Sequence, residues 1–256
     1  MTAPESVVVA PASRAVPTPA SKKLAAPVIE LRGVEKHYQM GDTLVKALQG
    51  IDLKIRHGDY ISILGPSGCG KSTMLNILGC LDQPSVGQYL LDGIDVSELP
   101  DDELSQVRGK KLGFIFQSYN LIQQLTVVEN IEVPLYYQGV PEKESREIAV
   151  ELARRVGLGK RLDHRPTELS GGQQQRVAIA RALSNDPAVI LADEATGNLD
   201  SKSGGDILEI FDGLNADGKT LILITHDEGM AKRTPRVIRL KDGAVAFDSG
   251  GEAPGA

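Results

Sequence analysis

Short apolar runs, broken by polar turns and by longer amphipathic stretches, set the rhythm of this chain. Periodic structure begins at Val28-Ile29-Glu30-Leu31. From Val45 to Ile55 apolar and polar positions alternate, which predicts a further strand pair in an antiparallel sheet. Tyr60-Ile61-Ser62-Ile63-Leu64 reads as a buried strand, and Ser72 to Leu78 as the helix that follows it. Val86 to Leu91 reads as another strand, closed by a turn at Asp92-Gly93. The spacing then lengthens. Between Glu142 and Val156 the apolar Ile148, Leu152 and Val156 recur at helical intervals, with Pro141 before them and Gly157 after, as helix boundaries prefer. Next come a helix from Gly171 to Ser184, a strand from Ala188 to Ala192, a helix from Ser201 to Leu214 and a strand from Thr220 to Thr225. Strand and helix in alternation predict a parallel sheet with crossover helices. A last strand region lies at Ala244 to Phe247, and no internal repeat is visible.

Composition narrows the class. Apolar residues make up 41% of the 256, enough for one large domain with a subdomain. The net charge of -6 argues against a general nucleic-acid binder, which needs a basic surface. Residues 1–27, rich in Ala, Pro, Ser and Val and without aromatics, read as a disordered tail, and 250–256 as a flexible C-terminus. The domain expected between them spans 28–249, with a helical insertion at about 119–168. No apolar run approaches the roughly 18 residues that span a bilayer, and Val7 to Ala10 is too short for a signal-peptide core. A soluble chain is expected, so any membrane span must come from elsewhere. Cys69 and Cys80 are the only cysteines, which suits a reducing cytosol. Cys69 reads either as a redox-sensitive thiol at a helix N-terminus or, the favoured reading, as a small tolerated loop residue.

Three stretches carry chemistry. Gly65-Pro66-Ser67-Gly68-Cys69-Gly70-Lys71-Ser72-Thr73 fits the phosphate-loop template and sits at a strand-to-helix turn. Glycines let the backbone approach a polyphosphate, and the helix N-terminus favours its charge. Lys71 is expected to reach the β- and γ-phosphates, and the Ser72 hydroxyl to ligate Mg²⁺. Val189 to Ala192 is an apolar strand ending in Asp193 and Glu194. There Asp193 can meet the Mg²⁺ of a neighbouring nucleotide, and Glu194 can act as general base toward water. Leu169-Ser170-Gly171-Gly172-Gln173 opens a helix and forms a second anion-binding N-terminus.

With that third motif the chain resembles the ATP-binding cassette (ABC) ATPases, from Val28 to Ser249. The resemblance implies an α/β P-loop fold: a parallel core sheet, an antiparallel β-subdomain and an inserted α-helical subdomain. It implies ATP and Mg²⁺ as ligands. It makes Tyr38 the aromatic that stacks on adenine. It makes Gln117, in Phe114-Ile115-Phe116-Gln117, a contact to Mg²⁺ and the attacking water. Asp200, in Asn198-Leu199-Asp200, falls in a loop that crosses a dimer interface, and His226 contacts the γ-phosphate. His37, His57 and His164 receive no role. One departure stands out. Ala195 follows Glu194 where the family commonly has proline, so φ is less restricted there and the turn is expected to be slightly looser.

Stretches at Tyr38–Leu48, Gly113–Leu125, Ser170–Arg176 and Gly197–Asp200 resemble the macrolide-efflux and lipoprotein-release branch. The family resemblance implies a head-to-tail dimer with a second copy; the branch implies an integral membrane permease, expected on another polypeptide because the sequence ends at Ala256, and room for a periplasmic adaptor. It places the chain on the cytoplasmic face of the inner membrane, with no nucleic-acid partner. Cell-division ABC ATPases share these motifs, so regulation of a periplasmic partner without transport is the alternative. A soluble ABC protein acting on DNA or the ribosome is disfavoured: it would bring two cassettes or a long coiled coil. The permease-docking groove is expected near Gln117 and residues 118–137.

Overall fold

A computed structural model describes residues 26–250; the tail and C-terminus outlined above lie almost wholly outside them. Pro27, read as the end of the tail, is already the first residue of strand β1 (Pro27–Met40). That strand pairs antiparallel with β2 (Thr43–Arg56) on one side and with β4 (Val86–Leu91) on the other. With the short β5 (Ile94–Asp95) they form a four-stranded sheet in the order β2-β1-β4-β5.

The second sheet has six strands in the order β10-β9-β3-β8-β7-β6. Its members are β3 (Tyr60–Leu64), β6 (Leu112–Phe116), β7 (Val189–Asp193), β8 (Thr220–Ile224), β9 (Arg236–Lys241) and β10 (Ala244–Asp248). All neighbours are parallel except β9 and β10. Parallel strands are covered on both faces, which is why β3 and β8 are apolar almost throughout and wholly buried. Alternate side chains feed two cores. On β8, Ile222 and Ile224 join the core facing the antiparallel sheet, while Leu221 and Leu223 join the core on the helical side. On β7, Val189 and Leu191 split from Ile190 and Ala192 in the same way.

The helices are α1 (Lys71–Leu78), α2 (Asp101–Lys111), α3 (Val127–Tyr137), α4 (Glu142–Arg155), α5 (Gly171–Leu183), α6 (Ser201–Ala216) and the short α7 (Glu228–Ala231). Helix α1 buries Met74, Leu75, Ile77 and Leu78 in the core beside the antiparallel sheet. Between β6 and α5 lie α3, α4 and a 3₁₀ turn at Pro166–Glu168. Thr126 caps α3: its Oγ1 accepts from the Glu129 N–H, and Glu129 Oε2 accepts from the Thr126 N–H at 2.7 Å. The buried Asn130 then ties the preceding loop to α3, its Nδ2 donating to the Ile122, Leu125 and Thr126 carbonyls. Glu142 and Glu144 in the first turn of α4, and Arg154 and Arg155 in the last, complement its dipole.

The strand order positions the site. Gln117 follows β6, Asp193 ends β7 with Glu194 next to it, Thr225-His226 follow β8 and Gly65 follows β3. Because β3, β8, β7 and β6 are consecutive neighbours, these groups stand in a row along the carboxyl edge of one parallel sheet.

A candidate nucleotide site

The phosphate loop runs from Gly65 to the start of α1. Its glycines are required by space and conformation. A Cβ on Gly65 would come within 2.4 Å of Cys69 Sγ and 2.5 Å of the Leu240 carbonyl oxygen. Gly70, the N-cap of α1, has φ +104°, and a Cβ there would lie 2.6 Å from the Ala47 carbonyl. The Lys71 ammonium donates to the Gly65 and Pro66 carbonyls at 2.8 and 2.9 Å, so the loop curls around its own cation. Cys69 is buried, its backbone tied to Gly243 by a 3.0 Å hydrogen bond. This favours the plain structural reading of that residue.

A cleft of about 600 Å³ opens over the loop. Ser67, Gly68, Gly70, Lys71, Ser72 and Thr73 line it, together with Glu194 and His226. Val45, Lys46, Ala47 and Gln49 from β2, and Asp242 and Gly243 from the β9–β10 turn, complete the wall. Of these, Gln49 and Asp242 belong to no motif of the sequence. Gln49 and this turn exchange two hydrogen bonds, Gln49 N to Gly243 O and Gln49 Nε2 to Asp242 O, both 2.8 Å.

Burial pushes the Asp193 carboxyl above the ordinary carboxylate range; the Glu194 charge adds to this and the Lys71 ammonium opposes it. Glu194 sits at φ +44°, a left-handed conformation that a non-glycine residue holds only when its surroundings enforce it. Its N–H donates to the Ile224 carbonyl at 2.9 Å, and its carbonyl accepts from the Gly197 N–H at 2.9 Å. Its Oε1 lies 2.7 Å from His226 Nδ1. The turn at Ala195 has a restraint other than a proline ring: the buried Ala195 carbonyl accepts from Gln175 Nε2 at 2.7 Å.

Gln117 leans the other way along the edge. Its Nε2 donates to Asn198 Oδ1, and Asn198 Nδ2 donates to the Gln117 carbonyl, both at 3.1 Å. Tyr38 stands at the side of the cleft, its cross-strand neighbour Val45 being one of the lining residues. The Tyr38 hydroxyl donates to Asp82 at 2.9 Å, and Lys36 Nζ lies 5.1 Å from the ring centroid. Burial, with Asp82 beside it, raises the phenol above its ordinary value.

Ser170, Gly171, Gly172, Gln173 and Asp200 do not line this cleft. Ser170 caps α5 reciprocally with Gln173: Ser170 N–H to Gln173 Oε1 at 3.0 Å, and Gln173 N–H to Ser170 Oγ at 3.3 Å. Ser170, Gly172 and Gln173 line a separate hollow of about 230 Å³ with Arg176, Ser203 and Asp206. Asp200 caps α6, accepting from the Lys202 and Ser203 N–H groups and the Ser203 hydroxyl.

The family described as "ABC transporter" matches residues 48–197. An uncharacterized ABC transporter ATP-binding protein of Thermotoga maritima is 54% identical over 218 residues, 85% of this chain and 93% of that protein. Macrolide export ATP-binding/permease proteins MacB of Hyphomonas neptunium and Marinobacter nauticus are both 51% identical, over 89% and 90% of this chain. The chain spans only 35% and 36% of their length. Among solved structures, a post-hydrolysis dimer of the ATP-binding cassette MJ0796 bound to ADP and Pi superposes with a TM-score of 0.79. It is 47% identical, and the match covers 86% of this chain and 97% of that one. The phosphate loop, the acids at the carboxyl edge of the core sheet and the second helix N-terminus thus have their counterpart in a shared ancestry: the chain belongs to the ABC transporter family, as one of its ATP-binding ATPase cassettes.

Proposed function

We propose that this cassette powers export or lipoprotein release, working as a head-to-tail dimer on the cytoplasmic face of a separate membrane permease. One observation carries the dimer reading. The phosphate loop and the Ser170–Gln173 helix start open onto different clefts of one chain, so a second copy is needed to bring them to the same nucleotide. The dimer of MJ0796 with ADP and Pi supports this arrangement.

In this reading the loop amides, Lys71 and the N-terminus of α1 bind the β- and γ-phosphates of ATP. Ser72, Asp193 and Gln117 offer hydroxyl, carboxylate and amide oxygens, the hard donors that suit Mg²⁺. Among the described residues no three His, Cys, Asp or Glu side chains converge on a cage. That fits an ion held by one or two protein groups together with substrate phosphates. When bound, Mg²⁺ offsets the negative charge of the β- and γ-phosphates. Glu194 accepts a proton from the attacking water, and His226, 2.7 Å from its Oε1, orients that carboxylate and faces the γ-phosphate. Tyr38 takes the adenine and Asp200 the dimer interface. The partner's Ser170–Gln173 segment closes the site over the γ-phosphate, and phosphate departure weakens that contact.

A groove of about 660 Å³ lies between α2, β6, α3 and α5, lined by Leu81, Phe114, Phe116, Val133, Pro134 and Tyr137 among others. Its apolar lining and the 80% exposed Tyr137 support it as the seat of the permease. Among the described residues no helix is long and apolar enough to cross a membrane. The Thermotoga relative, named only as an ATP-binding protein and matched over 93% of its length, supports a cassette separate from its permease. The MacB names favour transport over the cell-division alternative. The test is a pull-down from detergent-solubilised membranes with the Glu194→Gln form and ATP. Recovery of a multi-span protein with a large extracytoplasmic domain, with or without a periplasmic adaptor, is expected. A cell-wall hydrolase regulator would favour the alternative, and absence of any membrane protein would overturn the reading.

A further inference from the structure

Gln175 lies in α5, fully buried, one turn beyond the Ser170–Gly171 helix start. Its Nε2 donates to the Ala195 carbonyl at 2.7 Å, while its Oε1 accepts no hydrogen bond among the described residues. Half of a buried amide left unpaired costs stability, a cost that a methionine of similar length would avoid at that atom. The donor half is therefore the chemically useful end. It reaches the residue that follows Glu194, itself held in a left-handed conformation.

The contact is part of a continuous seam. Gly171 and Gln175 are four residues apart and share a face of α5. A Cβ on Gly171 would lie 2.9 Å from the Tyr119 hydroxyl and 3.4 Å from Leu199 Cδ2. On Gly172 it would lie 3.1 Å from both Cβ and Oγ of Ser203. So the helix start meets the 199–203 segment with no slack, and one turn on, Gln175 meets Ala195. The segment from Ala195 to Ser203, a loop that runs into the first residues of α6, thus lies antiparallel along the first turns of α5. A shift of α5 therefore pulls, through this bond, on the backbone that presents Glu194.

We propose that Gln175 is a positioning residue that sets the Glu194–Ala195 turn from the helix carrying the Ser170–Gln173 segment. Through it, what that segment touches on a second copy reaches the catalytic carboxylate of its own chain. This rests on the reading of Glu194 as the base. The Gln175 bond and the Ile224 bond hold the turn from two sides. Loss of the first lets Glu194 relax from φ +44° and swings its carboxylate off His226.

Two variants of the full-length chain test this. Gln175→Met removes donor and unpaired acceptor together; Gln175→Asn keeps the amide but withdraws it by one methylene. For both, kcat for ATP falls by about tenfold or more while KM stays within about threefold, because the phosphate loop is untouched. Gln175→Met sheds the unpaired Oε1 but strands the buried Ala195 carbonyl, so the two costs oppose each other and Tm shifts little; a loss of kcat at near-constant Tm is what a packing role would not give. Turnover within about twofold of wild type in both variants would overturn the proposal. So would a fall in kcat that appears only with a lowered Tm and a raised KM. Glu194→Gln, run beside them, separates the two failures. If it turns over like wild type, the base assignment fails; if it is inactive while the Gln175 variants are normal, only the positioning role fails.

Discussion

Replacing Glu194 by glutamine tests the chemistry with the least disturbance to the fold. The amide has the volume of the carboxylate and keeps an oxygen for the 2.7 Å contact to His226 Nδ1. The backbone ties to Ile224 and Gly197 do not involve the side chain. What is lost is the capacity to take a proton from water. General-base catalysis contributes about 10²–10⁴-fold, so turnover falls by at least about 10²-fold, or about 2.7 kcal/mol in the barrier. ATP binding survives, because the groups that grip the phosphates lie on Gly65–Thr73, and it tightens if anything, since one negative charge beside the cleft is gone. Two assays are needed: steady-state phosphate release with Mg²⁺, and equilibrium titration with ATP on the same preparation. Size-exclusion chromatography with ATP adds a third reading, an accumulated dimer, because closure without hydrolysis traps it. Turnover within about tenfold of wild type would refute the assignment. So would loss of binding in step with turnover, since that would mean the glutamate shapes the loop and does not act on water.

Three further outcomes follow from other parts of the fold. Lys71→Ala removes the cation that the loop encloses, and ATP affinity falls about tenfold or more by titration; unchanged affinity contradicts its placement at the phosphates. Burial pushes the Cys80 thiol up to about 12, so at pH 8 only about one molecule in 10⁴ carries a thiolate there. A small alkylating reagent therefore leaves Cys80 unmodified until denaturant is added, and rapid labelling of the native protein would contradict its burial. Gly113→Ala in β6 places a Cβ 2.4 Å from the Ala182 carbonyl of α5. That overpacking lowers stability by about 1–3 kcal/mol in urea unfolding, and no loss would mean that strand and helix separate freely.

Much of the fold was legible because its signals are local. A fully buried parallel strand must be apolar along its length, so β3, β7 and β8 stand out, and the loop after β3 declares itself by glycines that the crowding at Gly65 and Gly70 makes necessary. Elements without such a signature were not legible. Helix α2 buries only Leu104 and carries no apolar stripe. Strand β9 alternates properly, but Arg236, Arg239 and Lys241 hide the pattern. Helix α3 holds Pro134 inside, and its one clear mark is the Thr126–Glu129 capping box. Asn198 lies in a recognised motif, but nothing in that motif announces its pairing with Gln117, and the wall formed by Gln49 and Asp242 has no motif at all.

Strand order explains what pattern reading leaves open. Along the chain these strands of the parallel sheet come in the order β3, β6, β7, β8; in space the order is β3-β8-β7-β6. Placing β8 between β3 and β7 brings His226 to Glu194, 32 residues away, and sets both above the phosphate loop. Each motif could be recognised alone, but only the sheet makes them neighbours. The same holds for the Ala195 departure. A missing proline predicts a looser turn when φ is the only restraint considered. The Gln175 amide supplies a restraint of a different kind, from a helix 20 residues earlier, and the turn holds through a side-chain donor where a ring is absent.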